Sequence, residues 1–478
     1  MRLRAANRSV VVCLSLLAVV ALLVAASAAA KSKKPKGNPH GPMQPLAVQW
    51  ISGFNAPGTP AKYNKVGILK IGRAKAKNVM IFVPGTSGGS AYIVPFAKWL
   101  VSKVPDWQVW SIERRENLLE DQSMIDQVKA KTVSAQDVWN YYLGYLADPS
   151  ITKHINPPPD STVSYAHQWG MNVAIEDIHR VVQAAQKLHG HIVLSGHSLG
   201  GTIVTAYATW DFHGKAGAND LAGLVYDDGA SGTTAPTADQ AQATLNSFNN
   251  ATPWLAFSGV PAPYLGLFSA LGSTAAIYHP GDLSIGQQSP LLPANLKPPV
   301  PATNLAQFGF NVDPKTSKLV FAAQAHVGSL DTTKSPAGWN NTGALTPLVR
   351  YAAMLAGSSL KGTDGTEWYF PQRLTIDSAA IDEGNDNPAQ QVFGDHATHG
   401  TSLPQRLLMY AFGAAGGQRV LDSTTTLANQ SHIPATNLTL IQHQDTYAHN
   451  DPAGAYPNNL FFDALIPFLH RAAKVKMH

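Results

Sequence analysis

The chain contains one cysteine among its 478 residues, Cys13. One cysteine cannot close an intramolecular disulfide, so the fold has to be stabilised by core packing. Charged residues are also few, at 14% of the chain, whereas hydrophobic residues make up 45%. This balance allows a large buried core and predicts a surface whose polarity comes from Ser, Thr, Asn and Gln. The sequence has one long apolar run, near its N-terminus, and no second one follows it. We therefore expect no stable membrane span in the mature form, from which this first run has been removed.

The first 30 residues have the pattern of an export signal. Arg2, Arg4 and Arg8 form a basic start, and an apolar stretch covers residues 10–26. The small residues that follow offer small-x-small cleavage sites. The pattern predicts a cleaved signal peptide over residues 1–30 and a secreted protein. An uncleaved N-terminal anchor is the alternative, because the apolar run approaches membrane-spanning length.

Loss of this segment changes the properties of the mature chain. It removes three arginines and no acid, so the formal charge falls from +5 to +2 and gives no reason to expect a nucleic-acid partner. Cys13 leaves as well, so any nucleophile of the mature chain must be an oxygen. Residues 31–45 are basic and contain Pro and Gly, which predicts a flexible tether.

The rest of the chain divides at two changes of pattern. Short apolar strands alternate with helices up to about residue 229, which predicts a parallel sheet covered on both faces. The expected strands lie at 79–83, 108–112, 192–195 and 221–226, and the expected helices at 91–104 and 171–188. Residues 230–403 are irregular and too long for a loop, so they predict an inserted cap or lid. The pattern resumes at 404–478, so the predicted core consists of 46–229 and 404–478.

The most informative motif is Gly196-His197-Ser198-Leu199-Gly200, a G-x-S-x-G sequence. It follows an apolar strand and precedes an apolar helix. In that setting the motif forms a tight turn that exposes the serine hydroxyl above the sheet edge. Ser198 is therefore the predicted nucleophile.

Two further segments provide the groups that an activated serine needs. The small-residue loop 84–89 follows the first core strand, and its Thr86 or Ser87 N–H can bind an oxyanion together with the Leu199 N–H. The predicted general base is His449, which lies between the last strand and the last helix. His443 is its rival but falls at the end of the strand itself.

The acid that orients the histidine is ambiguous in the sequence. The usual place, after the penultimate strand, contains no carboxylate. The strand after the nucleophile helix ends in Asp227-Asp228-Gly229. We expect Asp228 to be the acid, with Asp227 and then Asp445 as alternatives.

Together these segments make the chain resemble the α/β-hydrolase superfamily over residues 75–229 and 404–474. The sequences Gly-His-Ser-Leu-Gly-Gly, Pro-Gly-Thr-Ser-Gly-Gly and Tyr-Ala-His-Asn-Asp-Pro look, more narrowly, like those of secreted bacterial serine esterases and lipases. The resemblance implies an α/β-hydrolase fold, with a mostly parallel sheet, helices on both faces and a large inserted cap. It also implies hydrolysis of a small-molecule or lipid-like carboxylic ester through an acyl-enzyme, without a cofactor.

The cap contributes the open alternatives. Its aromatic residues either line a substrate pocket or form the cap's own small core: Trp254, Phe257, Tyr264 and Phe268. A secreted serine peptidase is the rival activity, because the cap offers acids that could anchor a peptide terminus: Asp382, Glu383 and Asp386. A non-catalytic binding protein on a hydrolase scaffold is the rival of a different class.

Two groups of residues have a composition that metals favour, but we predict no metal site. The oxygen-rich loop 382–387 lacks the spacing of a helix-loop-helix calcium site. His396 and His399 are too few for zinc without further ligands.

Overall fold

The structure is a computed structural model and describes residues 38–257 and 259–477. The predicted signal peptide and residues 31–37 of the predicted tether lie outside the described residues. The described residues from 42 onwards form one compact unit. In the described part of the chain, no helix has both the length and the apolar character needed to cross a membrane.

The main sheet has eight strands in the order β1-β2-β4-β3-β5-β6-β9-β10. Strand β2 runs antiparallel to both of its neighbours, and the other pairings are parallel. A separate two-stranded antiparallel sheet contains β7 and β8. The strands are β1 (Val48–Ser52), β2 (Lys65–Gly72), β3 (Asn78–Val83), β4 (Trp107–Glu113), β5 (Ile192–His197), β6 (Gly223–Asp227), β7 (Ser329–Asp331), β8 (Gly338–Asn340), β9 (Leu408–Gly413) and β10 (Leu438–Gln442).

Fifteen α-helices connect and cover these strands within the described residues. They are α1 (Val94–Lys103), α2 (Ser123–Lys129), α3 (Ala135–Tyr142), α4 (Met171–Gln186), α5 (Leu199–Thr209), α6 (Ala238–Phe248), α7 (Tyr264–Tyr278), α8 (Ile285–Gln288), α9 (Asn304–Val312), α10 (Leu348–Leu355), α11 (Gln372–Ser378), α12 (Pro388–Phe393), α13 (Gln418–Gln430), α14 (Asp451–Gly454) and α15 (Leu460–Ala472).

Alternation along the central strands buries both faces of the sheet. In β3, Met80 and Phe82 enter one apolar cluster, whereas Val79, Ile81 and Val83 enter another. The first cluster is covered by α1 and α15, and the second by α4, α5 and α13. This two-faced burial confirms the predicted layered arrangement, because successive side chains of a strand point to opposite faces.

Two strands and the structure of the insert were not predicted. Strands β1 and β2 form the antiparallel end of the sheet, and β1 is only partly buried, so its apolar signal is weak. Between β6 and β9 the chain is not irregular but contains seven helices, α6 to α12. Several of these helices are short, and Pro347 and Pro371 are the N-cap residues of α10 and α11. Short segments separated by proline show little periodicity in the sequence.

The described end of the predicted tether lies along the sheet. The Gln44 N–H donates to the Gly72 carbonyl oxygen at 2.9 Å, and the Gln44 side chain donates to the Gln108 Oε1 at 2.6 Å. Gln44 therefore lies against β2 and β4, and the boundary of the tether stays a prediction.

Candidate active site

Ser198 lies in a strained turn between β5 and α5. Its φ is 56° and its ψ is −126°, a backbone conformation that costs a residue with a side chain about 1–3 kcal/mol. Its N–H donates to the Asp227 carbonyl oxygen at 3.0 Å, which ties the turn to β6. A Cβ at Gly196 would lie 2.1 Å from the Gly200 carbonyl oxygen, so the strand and helix approach too closely for any other residue. The turn therefore has the geometry that the motif predicts.

Asp228 and His449 meet beside this turn. The His449 Nδ1 lies 2.5 Å from the Asp228 Oδ2, and both residues are only 2% exposed. The other carboxylate oxygen, Oδ1, accepts from the Gly416 N–H at 2.8 Å. Because a carboxylate accepts hydrogen bonds, this contact fixes the tautomer with the proton on Nδ1 and makes Nε2 the basic nitrogen of His449.

The other two candidate acids do not reach the histidine. Asp227 is the last residue of β6 and is fully buried, and neither of its carboxylate oxygens has a hydrogen-bond partner among the described residues. Burial, reinforced by the neighbouring charge of Asp228, raises the pKa of Asp227 well above its ordinary value. Asp445 is exposed on the loop that follows β10. Of the three acids, only Asp228 contacts His449.

His197, the first variable residue of the motif, supports the histidine loop. Its Nε2–H donates to the His449 carbonyl oxygen at 2.9 Å, and the two rings lie 4.5 Å apart between centroids. The Tyr92 ring stacks on His197 at 5.4 Å, and the Tyr92 hydroxyl donates to the Asn450 Oδ1 at 2.8 Å. Burial, together with the positive charge of a protonated His449, lowers the pKa of His197 to about 3, so His197 stays neutral and keeps this donor at physiological pH.

The loop at 84–89 lies on the other side of Ser198. A Cβ at Gly85 would be 2.7 Å from the Ser198 Cβ, so the loop backbone touches the serine. The Gly88 N–H donates to the Gly85 carbonyl oxygen and the Gly89 N–H to that of Gly365, at 3.2 and 3.0 Å. Neither of these two contacts uses the Thr86 N–H. Thr86 is therefore a candidate oxyanion donor.

The remaining candidate donors are Ser87 and Leu199. Ser87 follows Thr86 in the same loop, and Leu199 is the first residue of α5. The first N–H groups of a helix have no acceptor within the helix, and they carry its positive partial charge. Both segments thus place backbone donors around Ser198.

The four aromatic residues predicted to line a pocket fall into two groups. Trp254 is 2% exposed and packs on Trp169 and Tyr369, with ring centroids 6.1 and 5.3 Å away, so it belongs to an aromatic core. Phe257, Tyr264 and Phe268 are half-buried, and the last two, on α7, pack against the same apolar cluster as Trp254. Helix α7 begins close to the loop at 84–89, because the Gly266 carbonyl oxygen accepts from Thr366 at 3.4 Å and Thr366 pairs with Gly88.

The loop at 382–387 and the two histidines that were weighed as metal ligands make other contacts in the structure. Among the described residues, no three His, Cys, Asp or Glu side chains form a group that could hold a metal ion. His399 instead contacts Asp211 at 3.2 Å, and Glu383 is buried on a turn with a φ of 48°.

Sequence reasoning missed the residues that support the site. Arg114, Glu367 and Tyr92 belong to no motif, and His197 and Asn450 lie within quoted motifs but were assigned no role. The one sequence feature that could have indicated a role for Arg114 was its position directly after the buried strand β4. Strand β4 lies beside β3, which leads to the loop at 84–89. The carboxyl ends of neighbouring parallel strands meet at the same sheet edge, so such a residue is a candidate for contact with that loop.

Comparisons with known proteins give structural neighbours only. No family model matches the chain, and no curated protein matches it. Among solved structures, a candidate lipase from Sulfolobus solfataricus is 12% identical with a TM-score of 0.43, over 89% of this chain and 93% of that one. A carboxyl esterase from Bacillus coagulans is also 12% identical, with a TM-score of 0.39 over 89% and 99% of the two chains. A monoglyceride lipase from Saccharomyces cerevisiae is 10% identical, with a TM-score of 0.37 over 90% and 97%.

The strand order and the turn at Ser198 define the class of this protein. Eight strands in the order given above, with only the second antiparallel to its neighbours, form the sheet of an α/β-hydrolase. The turn at Ser198 stands at the end of β5, where that fold places its G-x-S-x-G turn. The chain has the α/β-hydrolase fold.

Proposed function

We propose that the protein hydrolyses carboxylic esters through a Ser198-His449-Asp228 triad. The observation that carries this proposal is the 2.5 Å contact between Asp228 and His449 beside the strained Ser198 turn. A backbone strained to that degree persists only where the surrounding structure holds it, and such strain concentrates at functional sites.

The proposed reaction begins with proton transfer from the Ser198 hydroxyl to the His449 Nε2. The serine Oγ attacks the ester carbonyl carbon, and Asp228 stabilises the imidazolium that forms. The N–H groups of Leu199 and of Thr86 or Ser87 bind the oxyanion of the tetrahedral intermediate. His449 then protonates the leaving alcohol and activates a water molecule, which releases the acid and restores the serine.

The substrate class is part of the proposal. The esterase and lipase neighbours are consistent with a small-molecule or lipid-like ester, and the half-buried Tyr264 and Phe268 offer apolar surface for an acyl or aromatic group. A peptidase would need a charged anchor for a peptide terminus. Burial raises the pKa of Asp382, and it raises that of Glu383 to about 6, so both can still carry the charge that such an anchor needs at neutral pH and the peptidase stays the alternative that the experiment has to separate.

The test compares hydrolysis of p-nitrophenyl esters of increasing chain length with hydrolysis of aminoacyl p-nitroanilides. The esters release p-nitrophenolate and the anilides release p-nitroaniline, so each product is quantified with its own absorbance standard before the kcat/KM values are compared. We expect ester hydrolysis to exceed anilide hydrolysis by at least tenfold in kcat/KM. Faster cleavage of the anilides would replace this proposal with a peptidase, and the absence of both activities would indicate a binding protein.

We also propose that the chain is exported with removal of residues 1–30. The basic start and the apolar run at 10–26 support this proposal. N-terminal sequencing of the protein from the culture medium tests it, and a mature chain beginning near residue 31 is the expected result. An intact N-terminus in the membrane fraction would indicate the anchored alternative.

A further inference from the structure

A buried arginine, Arg114, holds the loop that lies against Ser198. Strands β3 and β4 are parallel neighbours, so the residue that follows β4 lies beside the loop that follows β3. The Arg114 Nη1 donates to the Pro84 carbonyl oxygen at 3.0 Å, and its Nη2 donates to those of Gly85 and Gly88 at 2.9 and 3.0 Å. Arg114 is 9% exposed, so these contacts form in a largely dry environment.

Glu367 from the insert holds the guanidinium in place. The Glu367 side chain is fully buried, and it accepts from both Nε and Nη2 of Arg114. Such a two-point contact fixes the plane of the guanidinium as well as its position. A second acid, Glu116, lies 3.3 Å from Nε. Burial, together with the charge of Glu367, raises the pKa of Glu116 well above its ordinary value.

The backbone near Glu367 fixes the rest of the same loop. The Glu367 N–H donates to the Ser87 carbonyl oxygen at 2.9 Å, and the Gly89 N–H donates to the Gly365 carbonyl oxygen at 3.0 Å. The carbonyl oxygens of residues 84, 85, 87 and 88 are thus all hydrogen-bonded to Arg114 or Glu367.

These carbonyl contacts set the direction of particular N–H groups. A peptide unit is planar and trans, so its N–H points opposite to its C=O. The Gly85 carbonyl and the Thr86 N–H belong to one peptide unit. Arg114 therefore determines where the Thr86 N–H points, at the part of the loop that touches Ser198.

We propose that Arg114 is the positioning residue of the oxyanion hole, and that the donor it positions is the Thr86 N–H rather than that of Ser87. Glu367 supports it by fixing the guanidinium. This inference rests on the proposed function, because it assumes that an oxyanion forms at Ser198.

Arg115 provides a matched control. It is also buried, at 1% exposure, and it also pairs with a carboxylate, since its Nη2 lies 2.7 Å from the Asp177 Oδ1. Its Nη2 donates to the Phe54 carbonyl oxygen at 2.9 Å, far along the chain from the loop at 84–89. The two neighbouring arginines thus share burial, charge and pairing, and differ in the loop that they hold.

The experiment compares Arg114→Lys with Arg115→Lys. For each variant, kcat and KM on a short p-nitrophenyl ester, the melting temperature and the inhibition constant of a trifluoromethyl ketone are measured. The ketone forms a tetrahedral adduct on the serine and therefore reports on oxyanion binding. Arg114→Lys should lower kcat by about 10²-fold, because loss of one oxyanion donor has an effect of that size. KM should change by less than about threefold, since the ground-state ester uses the donor weakly.

The inhibitor separates positioning from general damage. Arg114→Lys should weaken binding of the ketone, measured by its inhibition constant, by a factor similar to the fall in kcat. Arg115→Lys should lower the melting temperature comparably but leave kcat and the ketone affinity within about threefold of the parent. Equal losses in both variants, or an unchanged kcat in Arg114→Lys, would overturn the proposal.

Glu367→Gln keeps the inference testable if Arg114→Lys does not fold. This variant retains the arginine and the shape of its partner but removes the charge that fixes the guanidinium. We expect kcat and ketone affinity to fall together by several-fold, and unchanged values would overturn the proposal. If the parent itself neither hydrolyses esters nor binds the ketone, the proposed function fails instead.

Discussion

The two sides of Ser198 are held by different chemistry. On the histidine side, two side chains meet directly, with the His449 Nδ1 2.5 Å from the Asp228 Oδ2. On the side of the loop at 84–89, the groups that face the serine belong to the backbone, and the side chain of Arg114 holds that loop by its carbonyl oxygens. Proton transfer requires titratable side chains, whereas oxyanion binding requires only oriented N–H groups. The histidine side should therefore tolerate substitution least.

Ser198→Ala should have the largest effect, because it removes the group on which both sides act. We expect kcat on a p-nitrophenyl ester to fall by at least about 10⁴-fold, as for other triad nucleophiles. Steady-state kinetics on the purified variant measures the loss. Ser102→Ala, an exposed position on α1, is the control and should retain full activity. An active Ser198→Ala variant would remove the basis of the whole comparison.

Asp228→Asn tests the histidine side alone. The amide can donate to Nδ1, which favours the tautomer whose proton sits on Nε2 and so cannot accept the serine proton. We expect kcat to fall by about 10³-fold with KM little changed. Kinetics with the same ester provides the measurement. A loss of less than tenfold would show that another acid orients His449.

Asp227→Asn should change stability and not activity, although Asp227 is the next residue. The raised pKa of Asp227 means that the folded protein retains its proton above the pH at which the unfolded chain loses it. The free energy of unfolding of the parent should therefore fall as pH rises from about 3.9 to the folded pKa, by up to about 1.4 kcal/mol per pH unit from this group.

The asparagine variant cannot lose that proton, so its stability should depend less on pH over the same window. Urea unfolding of parent and variant at several pH values between 4 and 8 measures the difference. We expect kcat within about threefold of the parent. Identical pH dependence in the two proteins would mean that Asp227 is ionised in the folded state.

His326→Gln should have the smallest effect, and it concerns a contact between the insert and the histidine loop. The His326 Nδ1 lies 2.6 Å from the Asp451 Oδ2, and this pairing raises the pKa of His326, with Asp313 adding to the shift and Lys315 opposing it. The stabilisation is thus fully present below the ordinary pKa of about 6.5 and is lost as pH rises through the folded value.

We expect His326→Gln to lower the free energy of unfolding by about 1 kcal/mol at pH 6 and by less at pH 9. Thermal unfolding at the two pH values measures this. His399→Gln is the control, because His399 also contacts an aspartate, Asp211, but at an exposed site. A deficit in His326→Gln that grows with pH would contradict the assigned direction.

The same contrast explains how much of the site the sequence revealed. Ser198 and His449 could be proposed from the sequence because the roles of nucleophile and base require particular side chains at particular ends of strands. Asp228 was preferred because it precedes a glycine, but Asp227 stayed an alternative, since the choice depends on a φ of 47° at Asp228 that turns the chain just beyond β6. Arg114 gave almost no signal, because an arginine that binds carbonyl oxygens can belong to any buried loop.

The fold shows a similar limit. The buried central strands and the long helix α4 were predicted within a few residues, because continuous apolar runs and a 3.6-residue period are strong patterns. The partly buried β1 and the short helices of the insert were missed, since their positions depend on long-range contacts. Residues of the insert pack in the same apolar clusters as the sheet, which no local pattern indicates.

The most direct test of the account is the site of covalent labelling by a fluorophosphonate. This reagent phosphonylates a serine only when a base activates it and donors stabilise the charged oxygen, so it reports on both sides of the site at once. Mass spectrometry of the digested, labelled protein should place one adduct on Ser198, and Ser198→Ala should take up no label. An unlabelled parent, or an adduct on another residue, would contradict the assignment of Ser198, His449 and Asp228 as a working triad.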